Sequence, residues 1–211
     1  MKQANLFIIS APSGAGKTSL VKHLCETLER VTVSISHTTR APRHGEVHTR
    51  DYYFVDMDEY SAMLQANAFL EHARVFDHCY GTARANVESY LAQGSDVILE
   101  IDWQGAQQVR KQIPECISIF ILPPSLQVLE RRLNQRGTDD TRIIARRMRD
   151  AITEISHYAE YDYLIVNDNF EAAAMQLRSI VIASRLRRQR QVFQLEPLLG
   201  DLLHSSAPVQ S

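Results

Sequence analysis

A short apolar run, Leu6-Phe7-Ile8-Ile9-Ser10, leads into Ala11-Pro12-Ser13-Gly14-Ala15-Gly16-Lys17-Thr18-Ser19 and then into a stretch with leucines at 20, 24 and 28. The run suits a strand buried on both faces, and the leucine spacing suits an amphipathic helix. A strand joined to a helix by a turn of this kind constrains the fold more than anything else in the chain. It aims the backbone N–H groups of the turn and of the helix start at one spot, which makes an anion site. Glycines allow close approach, Lys17 reaches the outer phosphate oxygens, and the Thr18 hydroxyl is a ligand for Mg²⁺. Ala11 stands where the G-x-x-x-x-G-K-[ST] pattern has its first glycine, and Gly14 supplies freedom inside the loop. The bland reading is a chance strand-to-helix turn, but strand, Gly-x-Gly-Lys-Thr and helix in that order favour a nucleoside triphosphate site at residues 11–19.

Beyond the loop, apolar runs at residues 31–35, 97–101, 117–122 and 163–166 alternate with helical spacing. Helices are expected over 58–66, 83–93, 103–112, from Ser125 as N-cap through Leu126, Leu129 and Leu133, along Ile144, Met148, Ile152 and Ile155, and over about 171–188. Alternation of this kind predicts an α/β fold with a parallel sheet covered on both faces. The polar stretch from Ser36 to Arg50, with Pro42 and Gly45, breaks the alternation, and residues 69–76 read as a half-exposed strand. Residues 36–80 are therefore expected to form a small separate lobe. One domain is expected over 1–190, with its core at 1–35 and 81–190, and a tail over 191–211 whose last seven residues read as disordered.

The chain has 211 residues, 45% of them apolar, enough for one ordinary globular domain. Its net charge of −2 gives no field that would draw it to nucleic acid or to a membrane. No apolar run approaches the roughly 18 residues of a membrane span, and the first residues do not lead into a signal-peptide core. Cys25, Cys79 and Cys116 are odd in number and widely spaced, which fits a reducing, cytoplasmic setting rather than a disulfide framework. Only four of the 23 basic residues are lysine, and seven arginines fall between Arg131 and Arg149 against two acids. Arginine's planar fork suits phosphate, so a near-neutral chain with locally concentrated arginine reads as a handler of small anions. A solvated, salt-bridged helix face is the competing reading of that run. A GTP-binding switch would need an N-K-x-D element, and Val166-Asn167-Asp168-Asn169 lacks the lysine.

Several further stretches agree in order and spacing with one family. Ser34-Ile35-Ser36-His37-Thr38-Thr39-Arg40-Ala41-Pro42-Arg43-His44-Gly45-Glu46-Val47 resembles the nucleoside-monophosphate segment of guanylate kinases. So do Asp51-Tyr52-Tyr53-Phe54, Phe69-Leu70-Glu71, Tyr80-Gly81-Thr82, Ile101-Asp102-Trp103-Gln104-Gly105 and Arg132-Leu133-Asn134-Gln135-Arg136-Gly137. The resemblance runs from about residue 5 to about residue 185 and is nearest to the bacterial, free-standing enzymes.

The resemblance implies a three-layer P-loop kinase core, a mixed lobe for GMP and a helical lid at about 136–147. It implies transfer of the ATP γ-phosphoryl to GMP with Mg²⁺. By the family's pattern Arg40, Arg43, Tyr52 and Tyr80 grip the GMP phosphate, while Ser36, Glu71 and Thr82, next to Gly81, read the guanine. Arg132, Arg136 and Arg147 converge on the transferring group, and Asn167 lies near the adenine. Asp102 is the carboxylate expected at the metal with Thr18. Glu100 stands where the family more often has Asp, and its longer side chain leaves contact with GMP and contact with the metal shell both open. Chemically, guanine N1–H and N2–H₂ are parallel donors that a two-oxygen carboxylate matches, and adenine lacks that pair. The GMP phosphate is already largely dianionic near neutral pH, so no catalytic histidine is sought. A catalytically inert peptide-binding domain and a sugar-phosphate kinase are the alternatives. The intact loop disfavours the first, and the tyrosines with Glu71 disfavour the second. A homo-oligomer is compatible with the sequence.

Overall fold

The computed structural model describes residues 4–75, 77–135 and 141–204. The first half of the chain runs β1 (Leu6–Ser10), α1 (Lys17–Thr27), β2 (Val31–Val33), β3 (His37–Thr38), β4 (Tyr53–Phe54), α2 (Met57–Gln65), β5 (Phe69–Val75) and β6 (His78–Ala83). It continues with α3 (Arg84–Ala92), β7 (Asp96–Glu100), α4 (Trp103–Gln112), β8 (Ile117–Leu122) and α5 (Leu126–Gln135). After the described gap come α6 (Thr141–Ser156), β9 (Tyr163–Val166), α7 (Phe170–Arg185) and α8 (Arg188–His204).

The central sheet has the order β2-β7-β1-β8-β9, and all of its pairings are parallel. Every residue of β1 is buried, because side chains alternate across the sheet and both faces are covered. Phe7 and Ile9 pack with Leu20, Leu24, Leu177 and Val181 of α1 and α7. Leu6 and Ile8 pack the other way, against Val87 of α3 and Ala106 and Val109 of α4. With β1 between β7 and β8, the strand order reverses beside β1, and the crevice for a ligand opens at the carboxyl ends of β1 and β7. The far ends are tied by Asp96. Its carboxylate accepts from Asn5 N at 2.6 Å and from Arg185 Nε at 2.7 Å, joining the starts of β1 and β7 to the end of α7.

A second sheet, ordered β4-β3-β6-β5, is antiparallel except for the β3–β4 pair. It differs from the sequence reading in two ways. Residues 78–83, read only as a motif before a helix, form strand β6, which pairs with both β3 and β5. Strand β5, read as half-exposed, buries Phe69, Leu70, Glu71 and Ala73. The cause is α4, which lies along it. Gln108 accepts from His72 N and donates to His72 O, and Gln112 donates to Leu70 O, so two glutamines satisfy the strand's open edge. At the other end of the chain, the expected helix 171–188 stops at Arg185. Residues 191–204, read as a tail, belong to α8, whose side chains are not buried. The last seven residues, read as disordered, lie outside the described residues.

Candidate active site

The turn after β1 is shaped by two residues in left-handed conformation, Gly14 at φ 93° and Gly16 at φ 92°. L side chains rarely adopt that region, which accounts for glycine at both positions. Ala15 N donates to Pro12 O at 3.0 Å, and Gly16 caps α1 with no side chain of its own. The first N–H groups of α1 are left facing the cleft, with no acidic residue in that turn to occupy them. The loop is held from behind. Asn167, just past β9, donates from Nδ2 to Ala15 O at 2.7 Å, and a Cβ on Gly16 would collide with that amide. Arg132 Nη2 in turn donates to Asn167 O at 3.0 Å, while Leu129 and Leu133 of α5 crowd Gly14.

A cleft of about 1020 Å³ lies between the loop and the second sheet. Of the residues singled out in the sequence, Ala11, Pro12, Ser13, Gly14, Gly16, Lys17, Thr18 and Ser19 line one side. Ser36, Arg40, Arg43, Tyr52, Glu71, Tyr80, Glu100 and Asp102 line the rest. Ala15, Gly81, Thr82 and Asn167 stand behind the wall and support it. Arg132 is engaged with the Asn167 carbonyl rather than the cleft, and Arg147 is a half-buried residue of α6 outside the lining. Arg136, with the 136–140 part of the expected lid, lies outside the described residues.

On the second-sheet side, Glu71 is 3% exposed. Its Oε1 accepts from the Thr82 hydroxyl at 2.5 Å, and Thr82 Oγ1 lies 3.3 Å from Ser36 Oγ. Burial pushes the Glu71 carboxyl up to about 7, against the Thr82 hydrogen bond, which favours its charge. Arg40 is gripped by a residue the sequence reading passed over. Its Nη2 donates to both oxygens of Glu46, at 2.8 and 2.9 Å, and Glu46 also accepts from Arg43 N at 2.7 Å. Burial pushes the Glu46 carboxyl up, but the Arg40 hydrogen bond and these donors outweigh it and hold the group below the usual range. The guanidinium also lies 5.4 Å from the Tyr52 ring centroid. Burial raises the Tyr52 phenol, which stays a neutral donor.

On the loop side, Thr18 Oγ1 donates to Glu100 Oε2 at 3.0 Å. Asp102, expected beside Thr18, instead caps α4. Its Oδ1 accepts from Gly105 N at 2.9 Å and its Oδ2 from Gln104 Nε2 at 3.0 Å. Among the described residues no group of three or more His, Cys, Asp or Glu side chains is arranged to hold a metal ion.

Glu154, on α6, is a second cleft residue that sequence reasoning missed. Burial raises its carboxyl to about 7, with Lys17 and the Ser13 N–H opposing the rise. Glu46 carried a faint signal, as the lone acid in a basic run from Arg40 to Arg50. Glu154 carried none, since one acid on a striped helix is ordinary. Trp103 stacks on His157 with ring centroids 3.8 Å apart, and buried His37 stacks on Tyr53, both of them packing roles.

The guanylate kinase family model matches residues 3–184. A guanylate kinase of Methylococcus capsulatus is 59% identical over 203 residues, covering 96% of this chain and 100% of that protein. A guanylate kinase of Escherichia coli K12 is 55% identical over 205 residues, covering 96% and 99%. Among solved structures, guanylate kinase from Anaplasma phagocytophilum is similar with a TM-score of 0.75 and 34% identity, covering 100% of this chain and 98% of that one.

Proposed function

The chain belongs to the guanylate kinase family, and from that membership we propose that it transfers the γ-phosphoryl group of ATP to GMP, giving ADP and GDP. The observation that carries the reading down to residues is that Lys17 of the phosphate loop and buried Glu71 line one cleft.

In this account the loop N–H groups and Lys17 take the triphosphate, and Asn167 fixes the loop's shape from behind. Across the cleft, Glu71 accepts the two guanine donors, with Ser36 and Thr82 beside it. An adenine there would leave a buried carboxylate unpaired, which such sites reject by about 10⁴-fold or more. Arg40, Arg43, Tyr52 and Tyr80 hold the GMP phosphate, with Glu46 fixing the Arg40 fork. That phosphate attacks as a dianion, so no side chain has to remove a proton. The remaining obstacle is repulsion between two polyanions, which positioned cations reduce. Arg132 and Arg147 are proposed for the transferring group itself.

Magnesium accompanies ATP in this reading. It takes hard oxygen donors, keeps several waters and needs only one or two protein ligands. The facing Thr18 hydroxyl and Glu100 carboxylate fit that description, whereas both Asp102 oxygens are already engaged. When bound, the ion neutralises phosphate charge and orients the γ-phosphoryl group.

A cytoplasmic setting is part of the proposal and is supported by three free cysteines. Among the described residues no helix is long and apolar enough to cross a membrane. Exposed Val192, Leu195, Leu199 and Leu202 of α8, spaced as a helix-pairing seam, support an assembly of copies that sedimentation velocity would read.

The direct test of the activity is ADP release with Mg-ATP against GMP, AMP, CMP and UMP in parallel. Release stimulated by GMP alone is the expected result. Equal stimulation by AMP, or none by any monophosphate, would overturn the reading.

A further inference from the structure

Lys17 stands on a flexible four-carbon stem, and holding such a side chain still costs rotamer entropy. Among the described residues its ammonium has no ion pair within 4.0 Å. Four carboxylates line the cleft around the loop: Glu71, Glu100, Asp102 and Glu154. Three are committed. Glu71 accepts from Thr82, Glu100 from Thr18, and Asp102 from Gly105 and Gln104. Glu154 alone of the four has a fully buried oxygen, Oε2, without a hydrogen-bond partner.

Its placement is not loose. Ala151 and Met148 of α6 pack on Leu129 and Leu133 of α5, and those two leucines crowd Gly14 of the loop. Glu154 follows Ala151 by about one helical turn, so the packing that seats α5 on the loop also seats the Glu154 carboxylate there. The groups facing it are Lys17 and the Ser13 N–H, which favour its charge, and Asp102 and Asp150, which oppose it.

We propose that Glu154 is a positioning residue for phosphoryl transfer. Its carboxylate supplies the counter-charge that keeps the Lys17 ammonium over the loop, and the arriving phosphates take the ammonium over. The inference rests on the kinase reading above. It also makes the lysine's position depend on α6, a helix remote in sequence from the loop.

A double-mutant cycle on the full-length chain at about pH 8, where the Glu154 carboxyl is ionised, tests it: parent, Glu154→Gln, Lys17→Ala and the two combined, assayed with radiolabelled ATP so that losses of about a thousandfold remain measurable. Glu154→Gln in the parent is expected to lower kcat about tenfold and to leave KM for GMP within about twofold. In the Lys17→Ala background the same change is expected to do nothing further, because a residue acting through Lys17 has nothing left to act on. An equal loss in both backgrounds, or an unchanged kcat in the single variant, overturns the proposal. A parent without GMP-dependent ADP release overturns the kinase reading, and this inference with it.

Discussion

Thr82 and Glu71 face each other across the β5–β6 pair, and the Thr82 hydroxyl donates to a carboxylate that is almost wholly removed from water. The bond holds the carboxylate plane in one orientation before any base arrives. Replacing Glu71 with Gln turns one acceptor into a donor facing the guanine N–H groups. We expect kcat/KM for GMP to fall about 100-fold, the size of a lost hydrogen bond to a charged group, while KM for ATP stays within about twofold. Steady-state kinetics with each substrate varied in turn reads both.

The same carboxyl makes GMP use depend on pH in a stated direction. It sits at about 7 in the folded chain against an ordinary 4.5, and guanine needs the ionised form. As pH falls through about 7, GMP binding must expel a proton, so KM for GMP rises. The GMP-free protein responds in the opposite sense. Between 4.5 and about 7 the folded state holds more protons than the unfolded, so stability falls as pH rises across that window. Glu154 contributes to the stability effect as well. Glu71→Gln therefore removes the rise in KM that begins at about pH 7, leaves the one set by the GMP phosphate at about 6, and flattens the stability profile only in part, which kinetics and thermal melts across the window would show.

Gly16→Ala brings two costs, a left-handed backbone at φ 92° and a Cβ that meets the Asn167 amide. The backbone cost alone is about 1–3 kcal/mol. ATP affinity, read by titration calorimetry, is expected to drop more than about tenfold. Adding Asn167→Ala removes the collision but not the strain, so the double variant should regain stability in part and affinity hardly at all. Full recovery would show that the collision was the whole problem.

Glu100 and Asp102, two residues apart, should respond differently to substitution. Glu100→Ala removes the oxygen partner of Thr18 and is expected to raise the Mg²⁺ concentration needed for half-maximal rate, with little change in melting temperature. Asp102→Ala removes the cap of α4 and is expected to cost about 1 kcal/mol of stability. The opposite pattern in a magnesium titration paired with melts would assign the metal to Asp102.

Far from the cleft, Asp96→Ala leaves the buried Asn5 N and Nδ2 donors without their acceptor, while the part-exposed Arg185 keeps its bonds to the Glu29 and Arg30 carbonyls. Leaving buried donors unsatisfied in this way costs about 1–3 kcal/mol. Urea denaturation should show a loss of that size, with kcat for GMP unchanged at moderate temperature.

The parallel core was legible because its signals are local. β1 is a continuous apolar run, and the loop's glycines announce their backbone. The second sheet was less so. Residues 78–83 alternate no apolar pattern of their own, and their strand exists only through pairing with β3 and β5. The burial of β5 depends on Gln108 and Gln112, some forty residues away, and glutamine carries no mark of a strand cap. The helical state of 191–204 was hidden by Pro197 and by a sequence none of whose side chains is buried in the helix. In the site, Glu46 and Glu154 matter through the groups they face, which only tertiary structure reveals.

Gly105 makes the first turn of α4 a place where variation is constrained in pairs. A Cβ there would run into Glu71 Oε2 and sit 3.3 Å from the Ile101 side chain. Position 105 is therefore closed to every other amino acid for as long as position 71 keeps its glutamate in this pose. A lineage shifting to a different base would have to change 71 first, and only afterwards would 105 be free to drift. The order in which those two substitutions can accumulate is written into the contact between them.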